Sequence, residues 1–214
     1  MTAYRNRIEV SPVPQSAYQK ETAMKFEVEI PLVLLKAAMI CTAKDGVRFY
    51  LVGIAIDQGH VVSTDGHRAF YAPLENVAKD TPQVIIPRLS IEFFIKKVAS
   101  ELKKHADEAT VTVQIDGENG TLRTSTVSEH FQPINGKFPE WRRIIPKASV
   151  DAYQGGDLSF NWKYMEDFQK IAKILGSKNS GALLIPNKEA NQAALIEFVN
   201  PRFTANGILM PMRL

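Results

Sequence analysis

The chain has 214 residues, 45% of them hydrophobic, and a formal net charge of +3. That is enough apolar material for one long domain or two small ones, and no apolar run reaches the roughly 20 residues that cross a bilayer. The single Cys41 excludes an internal disulfide framework and a cysteine-based zinc site. With no apolar signal core at the N-terminus a cytoplasmic protein is expected, and mild basicity admits nucleic acid without requiring it.

Residues 1–23 are polar, include Ser11-Pro12-Val13-Pro14, and read as an N-terminal arm. From there the chain repeats itself. The alternation Phe26-Glu27-Val28-Glu29-Ile30 predicts a strand, and Pro31 opens a helix through Leu32, Leu35, Met39 and Ile40 that ends at Asp45-Gly46. Strands are predicted at 47–56, 61–63 and 69–72. The same order recurs from residue 83: a strand to Ile86, a break at Pro87, a helix from Ser90 as N-cap to His105, then strands at 109–115, 120–126 and 130–134. A connector rich in turn residues covers 136–150. The third copy has a strand at Asp157–Phe160, a helix over Trp162–Leu175 stopped by Gly176, and strands at 182–185, 193–199 and 204–210.

Each copy is a βαβββ unit, so the fold class is α+β. Two units pair into one closed domain over 24–146, about 120 residues. The third, 147–214, has no partner unit within the chain. An odd count leaves an apolar face and open strand edges, and therefore predicts self-association.

The stretch Val61–Arg68 breaks at Asp65-Gly66 and presents His67 and Arg68 just past a tight turn. Residue types alone leave two readings: a metal or acid–base cluster of Asp57, His60, Asp65 and His67, which as an enzyme would be a metal-dependent nuclease built around His60 and His67, or a hairpin with solvated polar residues. Lysines flank the outer faces of the second and third helices, but Glu92, Glu101, Glu166 and Asp167 dilute their field.

Three segments then converge on a family. Ser63-Thr64-Asp65-Gly66-His67-Arg68, Gly136-Lys137-Phe138-Pro139-Glu140-Trp141-Arg142-Arg143-Ile144-Ile145-Pro146 and Met210-Pro211-Met212-Arg213-Leu214 resemble three segments of the bacterial β sliding clamps, the processivity subunits of DNA polymerase III. Val47-Arg48-Phe49-Tyr50-Leu51-x-Gly53 and Val84-Ile85-Ile86-Pro87-Arg88 are similar to two more, all in the family's order. The resemblance spans about Phe26 to Leu214. It implies a DNA-clamp fold, with helices on one face of antiparallel sheets and a closed ring as the assembly. Residues 24–146 correspond to a full clamp domain and 147–214 to the second half of another. It implies no catalysis, no cofactor and no metal.

By the same resemblance, a pocket for clamp-binding peptides of DNA polymerase and other replication or repair proteins is lined by Leu51, Thr64, Gly66, His67, Arg68, Pro139, Arg143, Ile144, Ile208, Met210, Pro211, Met212 and Arg213. Ala69 stands where the family usually has a larger aliphatic residue. Double-stranded DNA is expected, without sequence preference, against Lys44, Arg48, Tyr50, Arg88, Lys96, Lys97, Lys103, Lys104, Lys163, Lys170 and Lys173. A family ring of about twelve units makes three-unit chains close as a homotetramer, with Phe203 of one copy against Met39 and Ile40 of the next. A clamp loader is a further expected partner. The alternative is a non-encircling decoy or regulator that binds the same peptides.

Overall fold

A computed structural model describes residues 25–75, 77–146, 153 and 157–212. The expected N-terminal arm, part of the connector, and Arg213 lie outside the described residues. The first unit comprises β1 (Lys25–Pro31), α1 (Leu32–Cys41), β2 (Gly53–Asp57), β3 (His60–Thr64) and β4 (Arg68–Pro73). The second comprises β5 (Val84–Pro87), α2 (Arg88–Leu102), β6 (Thr110–Asp116), β7 (Asn119–Arg123) and β8 (Ser128–Phe131). In the third, α3 (Trp162–Ile174) is followed by β9 (Ala182–Ile185), β10 (Ala194–Phe198) and β11 (Asn206–Leu209).

The strands do not stay within their own units. One sheet runs β1-β6-β7-β8 and the other β5-β2-β3-β4-β11-β10-β9. Thus β1 pairs with β6 and β5 with β2, so the first two units exchange their leading strands and lock into one body. The third unit joins through β11, which pairs antiparallel with β4 in the register Arg68↔Leu209, Ala69↔Ile208, Phe70↔Gly207.

Helix α1, apolar on every face but the one bearing Lys36, is buried almost throughout and packs against both α2 and α3. Both sheets contribute to the same core, Val28, Ile30, Val111 and Val113 from one and Ile54, Ile56, Val61 and Phe70 from the other. The seven-stranded sheet also has a covered outer face. There Leu51, Ala55, Val62 and Ile85 pack beneath Phe138 and Trp141 of the connector. Both faces of β2 are therefore buried, and its sequence Gly-Ile-Ala-Ile-Asp lacks a polar alternate.

Several boundaries differ from the sequence expectations for local reasons. Residues 47–52 are not strand: Leu51 N–H donates to Arg48 and Val52 N–H to Phe49, closing a 3₁₀ turn before β2 begins. Helix α1 ends at Cys41, where the Thr42 hydroxyl takes the Met39 carbonyl, well before Asp45-Gly46. Helix α2 starts at Arg88 with Pro87 in the extended capping position, so Ser90 lies inside it; past Leu102 it tightens into a 3₁₀ turn. Strands β7 and β8 end at Arg123 and Phe131, and Ile134 N–H instead bonds Ile85 O beside β5. Residues 157–160 form no strand. Gly176 does stop α3: at φ +67° it lets its own N–H reach Lys173 O and Ser177 N–H reach Ala172 O. No helix among the described residues is long and apolar enough to cross a membrane.

Candidate functional site

The turn between β3 and β4 is built from its own side chains. Asp65 Oδ1 accepts from the N–H groups of His67 (2.9 Å) and Arg68 (3.1 Å), and the Thr64 hydroxyl accepts from Gly66 N–H and donates to Arg68 O. Gly66 sits at φ +94°, and a Cβ there would lie 3.2 Å from Arg48 Nη1. The turn therefore holds His67 outward and brings Arg48 across its tip.

Arg68 points the other way, into the joint between the first and third units. Its Nε donates to Asp65 Oδ2 (3.1 Å), Nη1 to Asp167 Oδ2 on α3 (2.5 Å) and Nη2 to Ile40 O (3.0 Å). Its guanidinium also lies 4.6 Å from the centre of the Tyr164 ring, and the His67 ring stacks on the same ring with centroids 6.0 Å apart. Burial alone would raise the Asp167 carboxyl, but bonds from Arg68 and Lys170 outweigh it and hold it below the usual carboxylate range.

Around this turn a cavity of about 250 Å³ opens at the β4–β11 joint. Leu51, Thr64, Gly66, His67 and Arg68 come from the first unit, Pro139 and Ile144 from the connector, and Ile208 and Met210 from the third. Met210 N–H bonds His67 O at 2.9 Å, tying two of these walls together. The lining is mainly apolar, with Arg48, Arg68 and Glu140 supplying charge. Such a groove suits an extended peptide with apolar anchors.

The floor is braced from behind. Asp57 Oδ2 accepts from Trp141 Nε1 and Arg142 Nη1, both at 2.8 Å, and its Oδ1 from Gln83 Nε2. Burial pushes the Asp57 carboxyl up, yet these donors prevail and its pKa is lowered. Gln83 Oε1 in turn takes Phe138 N–H at 2.7 Å. Asp57 therefore fixes the connector that carries Pro139, Trp141 and Ile144.

Nine of the expected pocket residues thus surround one cavity. Arg143, Pro211 and Met212 do not line it: Arg143 faces solvent, and Met212 N–H bonds Ser159 O. Ala69 is fully buried opposite Ile208 and is not among the lining residues. Arg48, Glu140 and Trp141 line the cavity although the sequence reading gave them no place there. Trp141 was within a quoted motif, and its aromatic bulk beside Pro139 was the available signal.

The DNA candidates divide. Arg88 is structural, donating to Met39 O and the Thr42 hydroxyl at the end of α1. Tyr50 packs against the outer-face cluster, and Arg48 belongs to the cavity. Lys96 pairs with Glu92, Lys97 with Glu129, and Lys170 with Glu166 and Asp167. Lys44, Lys103, Lys104, Lys163 and Lys173 are exposed. Of the expected joint residues, Met39 is buried in the chain's own core and Ile40 and Phe203 pack partly against it, so Met39 has no surface to offer another copy. The nuclease grouping is pulled apart, with Asp57 and His60 at one end of β3 and Asp65 and His67 at the other. Among the described residues no group of three or more His, Cys, Asp or Glu side chains is placed to hold a metal.

Paired antiparallel sheets built from repeated βαβββ units and backed by helices define the class: this is the DNA-clamp architecture. Structure comparison places it beside the DNA polymerase sliding clamp of Pseudomonas aeruginosa, with a TM-score of 0.65 and 20% identity over 100% of this chain and 73% of that one. The polymerase III β subunit of Thermotoga maritima gives 0.63 at 19% identity, covering 96% and 68%. In sequence the chain is similar to the β sliding clamp of Haemophilus influenzae, 22% identical over 196 residues, and to that of Escherichia coli, 27% over 157. These alignments cover 86% and 67% of this chain but 50% and 40% of the relatives, so the chain spans about half their length or less. No family model matches it. The chain is thus similar, in both fold and sequence, to a shortened bacterial β sliding clamp.

Proposed function

We propose that the chain acts as a DNA sliding clamp: a non-catalytic, ring-forming accessory that surrounds duplex DNA and tethers polymerase or repair proteins through the cavity at the β4–β11 joint. The observation that carries this reading is the convergence of three segments distant in sequence on one apolar groove. Similarity to β sliding clamps supports it. Lys44, Lys103, Lys104, Lys163 and Lys173, all exposed, are the cations offered to phosphates. Lys96, Lys97 and Lys170 sit in surface ion pairs that water screens, so a phosphate displaces the carboxylate at little cost. No base is read. A peptide held in the groove raises the effective concentration of its owner at the DNA.

Two measurements test this together. A clamp-binding peptide, titrated by fluorescence anisotropy, should bind and should weaken about tenfold on Met210→Ala, a loss of ~1.4 kcal/mol. The protein loaded on nicked circular DNA should stay through a salt wash and leave when that DNA is linearised. Peptide binding without any retention on circles supports the decoy reading instead, and absence of both removes the clamp assignment.

A further inference from the structure

In the first two units the strand leading into each helix is given to the other unit, and both exchanges obey one register. Pro31, just before α1, pairs with Thr110 at the start of β6; Pro87, just before α2, pairs with Gly53 at the start of β2. The third unit has both halves of this arrangement and, among the described residues, a partner strand for neither. Residues 157–160 enter α3 through the same extended corner: Asn161 has φ −71° and ψ 117°, beside −55° and 129° at Pro31 and −58° and 136° at Pro87. Yet they join no sheet among the described residues.

The complementary vacancy is at β9. It occupies the place of β2 and β6, but among the described residues its single neighbour is β10, and it ends the seven-stranded sheet. All five residues of β2 are buried; none of the four in β9 is. Ala182-Leu183-Leu184-Ile185 is an unbroken apolar run on an open edge, with Leu183 57% exposed. Trp162, the first residue of α3, is 85% exposed, whereas Leu32 at the same place in α1 is fully buried. Only residues 132–161 lie between β8 and α3, far short of the 84–131 that make the second unit, so no further unit intervenes.

We infer that two copies of the chain complete each other's third unit by strand exchange. Residues 158–161 of each copy add antiparallel to β9 of the other across a two-fold axis. The register set by the first two units pairs Asn161 with Ala182, Phe160 with Leu183, Ser159 with Leu184 and Leu158 with Ile185. The outcome is a second closed two-unit domain, half from each chain, with the two Trp162 side chains covered at the axis. This follows from the repeat and does not depend on DNA being encircled or on the groove binding a peptide.

The test is site-directed cross-linking in the full chain. Ser159→Cys and Leu184→Cys proteins, mixed, refolded together and mildly oxidised, should give a disulfide-linked pair at twice the 23.9 kDa chain mass; neither alone should. Native Cys41 is fully buried and does not interfere. Leu183→Lys, at an exposed position, should reduce the native mass to that of one chain while peptide affinity at the groove stays unchanged. A wild-type monomer at tens of micromolar overturns the proposal, whether or not its β9 amides resist hydrogen exchange. A dimer whose mixed cysteine variants fail to cross-link overturns it as well, since association would then use another face.

Discussion

The Arg68–Asp167 pair is the strongest polar link between the first and third units, and its strength is measurable. Their side chains are 9% and 15% exposed and meet at 2.5 Å, so little water screens them. Arg68→Ala also abandons Asp65 and the Ile40 carbonyl, leaving nearly buried Asp65 without its cation and Asp167 with exposed Lys170 alone; a loss of about 3–5 kcal/mol follows. Asp167→Ala should cost less, ~1–3 kcal/mol, because Arg68 keeps its other two acceptors. The double-mutant cycle isolates the pair, and a coupling of about 2 kcal/mol is expected from urea unfolding at pH 7 with unchanged slopes. Lys170→Ala is the control. It removes the cation on the other Asp167 oxygen, but in a half-exposed surface pair, and should shift stability by no more than ~0.5 kcal/mol. A coupling below that same figure would refute the reasoning, because the two units would then be held by the β4–β11 ladder and apolar contact alone.

Three further outcomes are expected. Gly66→Ala forces a side chain into φ +94° and against Arg48, and should cost about 1–2 kcal/mol; since Arg48→Ala relieves only the contact, most of the loss should persist in the double variant by thermal melting. Asp57 and Asp167 both have lowered pKa values, so the unfolded chain binds protons first; their stabilisation is complete above about pH 4 and drains away as pH falls through the lower folded values. Asn at both positions should flatten the acid limb of stability against pH, and an unaltered limb would disprove the assignment. The Cys41 thiol, pushed up to about 12 by burial, should react with a thiol reagent only as fast as the chain opens, so rapid labelling of the native protein would contradict the packing of α1.

Much of the architecture was legible because it rests on local pattern. Pro31 and Pro87 mark the two strand-to-helix corners, and the strand, helix and three-strand order of all but one element follows from periodicity. The exchange of leading strands was not legible. Phe26–Ile30 alternates in the same way whether it pairs within its unit or with β6, since the pattern encodes a buried face and not a neighbour. Residues 47–52 misled for a related reason: Val47, Phe49 and Leu51 alternate like a strand, but Val47 is almost wholly exposed while Leu51 turns inward beneath the connector. At the candidate site, motif order identified nine lining residues but not their roles. Arg68 reads as a rim cation and is in fact saturated by Asp65, Asp167 and Ile40. Asp57, read with His60 as a ligand pair, is a brace for Trp141 and Arg142 more than eighty positions away. Long-range partners of buried charges leave no local signature.

The two braces explain why the groove is compatible with so short a chain. Every lining residue belongs to the first unit, to the connector, or to the last strand of the third and the residue after it. Each wall has its own anchor: the turn by Arg68 to α3, the connector by Asp57 and Gln83 to the β2–β5 edge, and Met210 by its bond to His67. None of these anchors reaches β9, whose open edge lies at the far end of the seven strands. A lesion at β9 should therefore alter assembly and spare the groove, whereas loss of Arg68 or Asp57 should do the reverse. The proposed groove at the β4–β11 joint and the proposed pairing edge at β9 lie on one sheet with β10 between them, and each is open to disruption without the other.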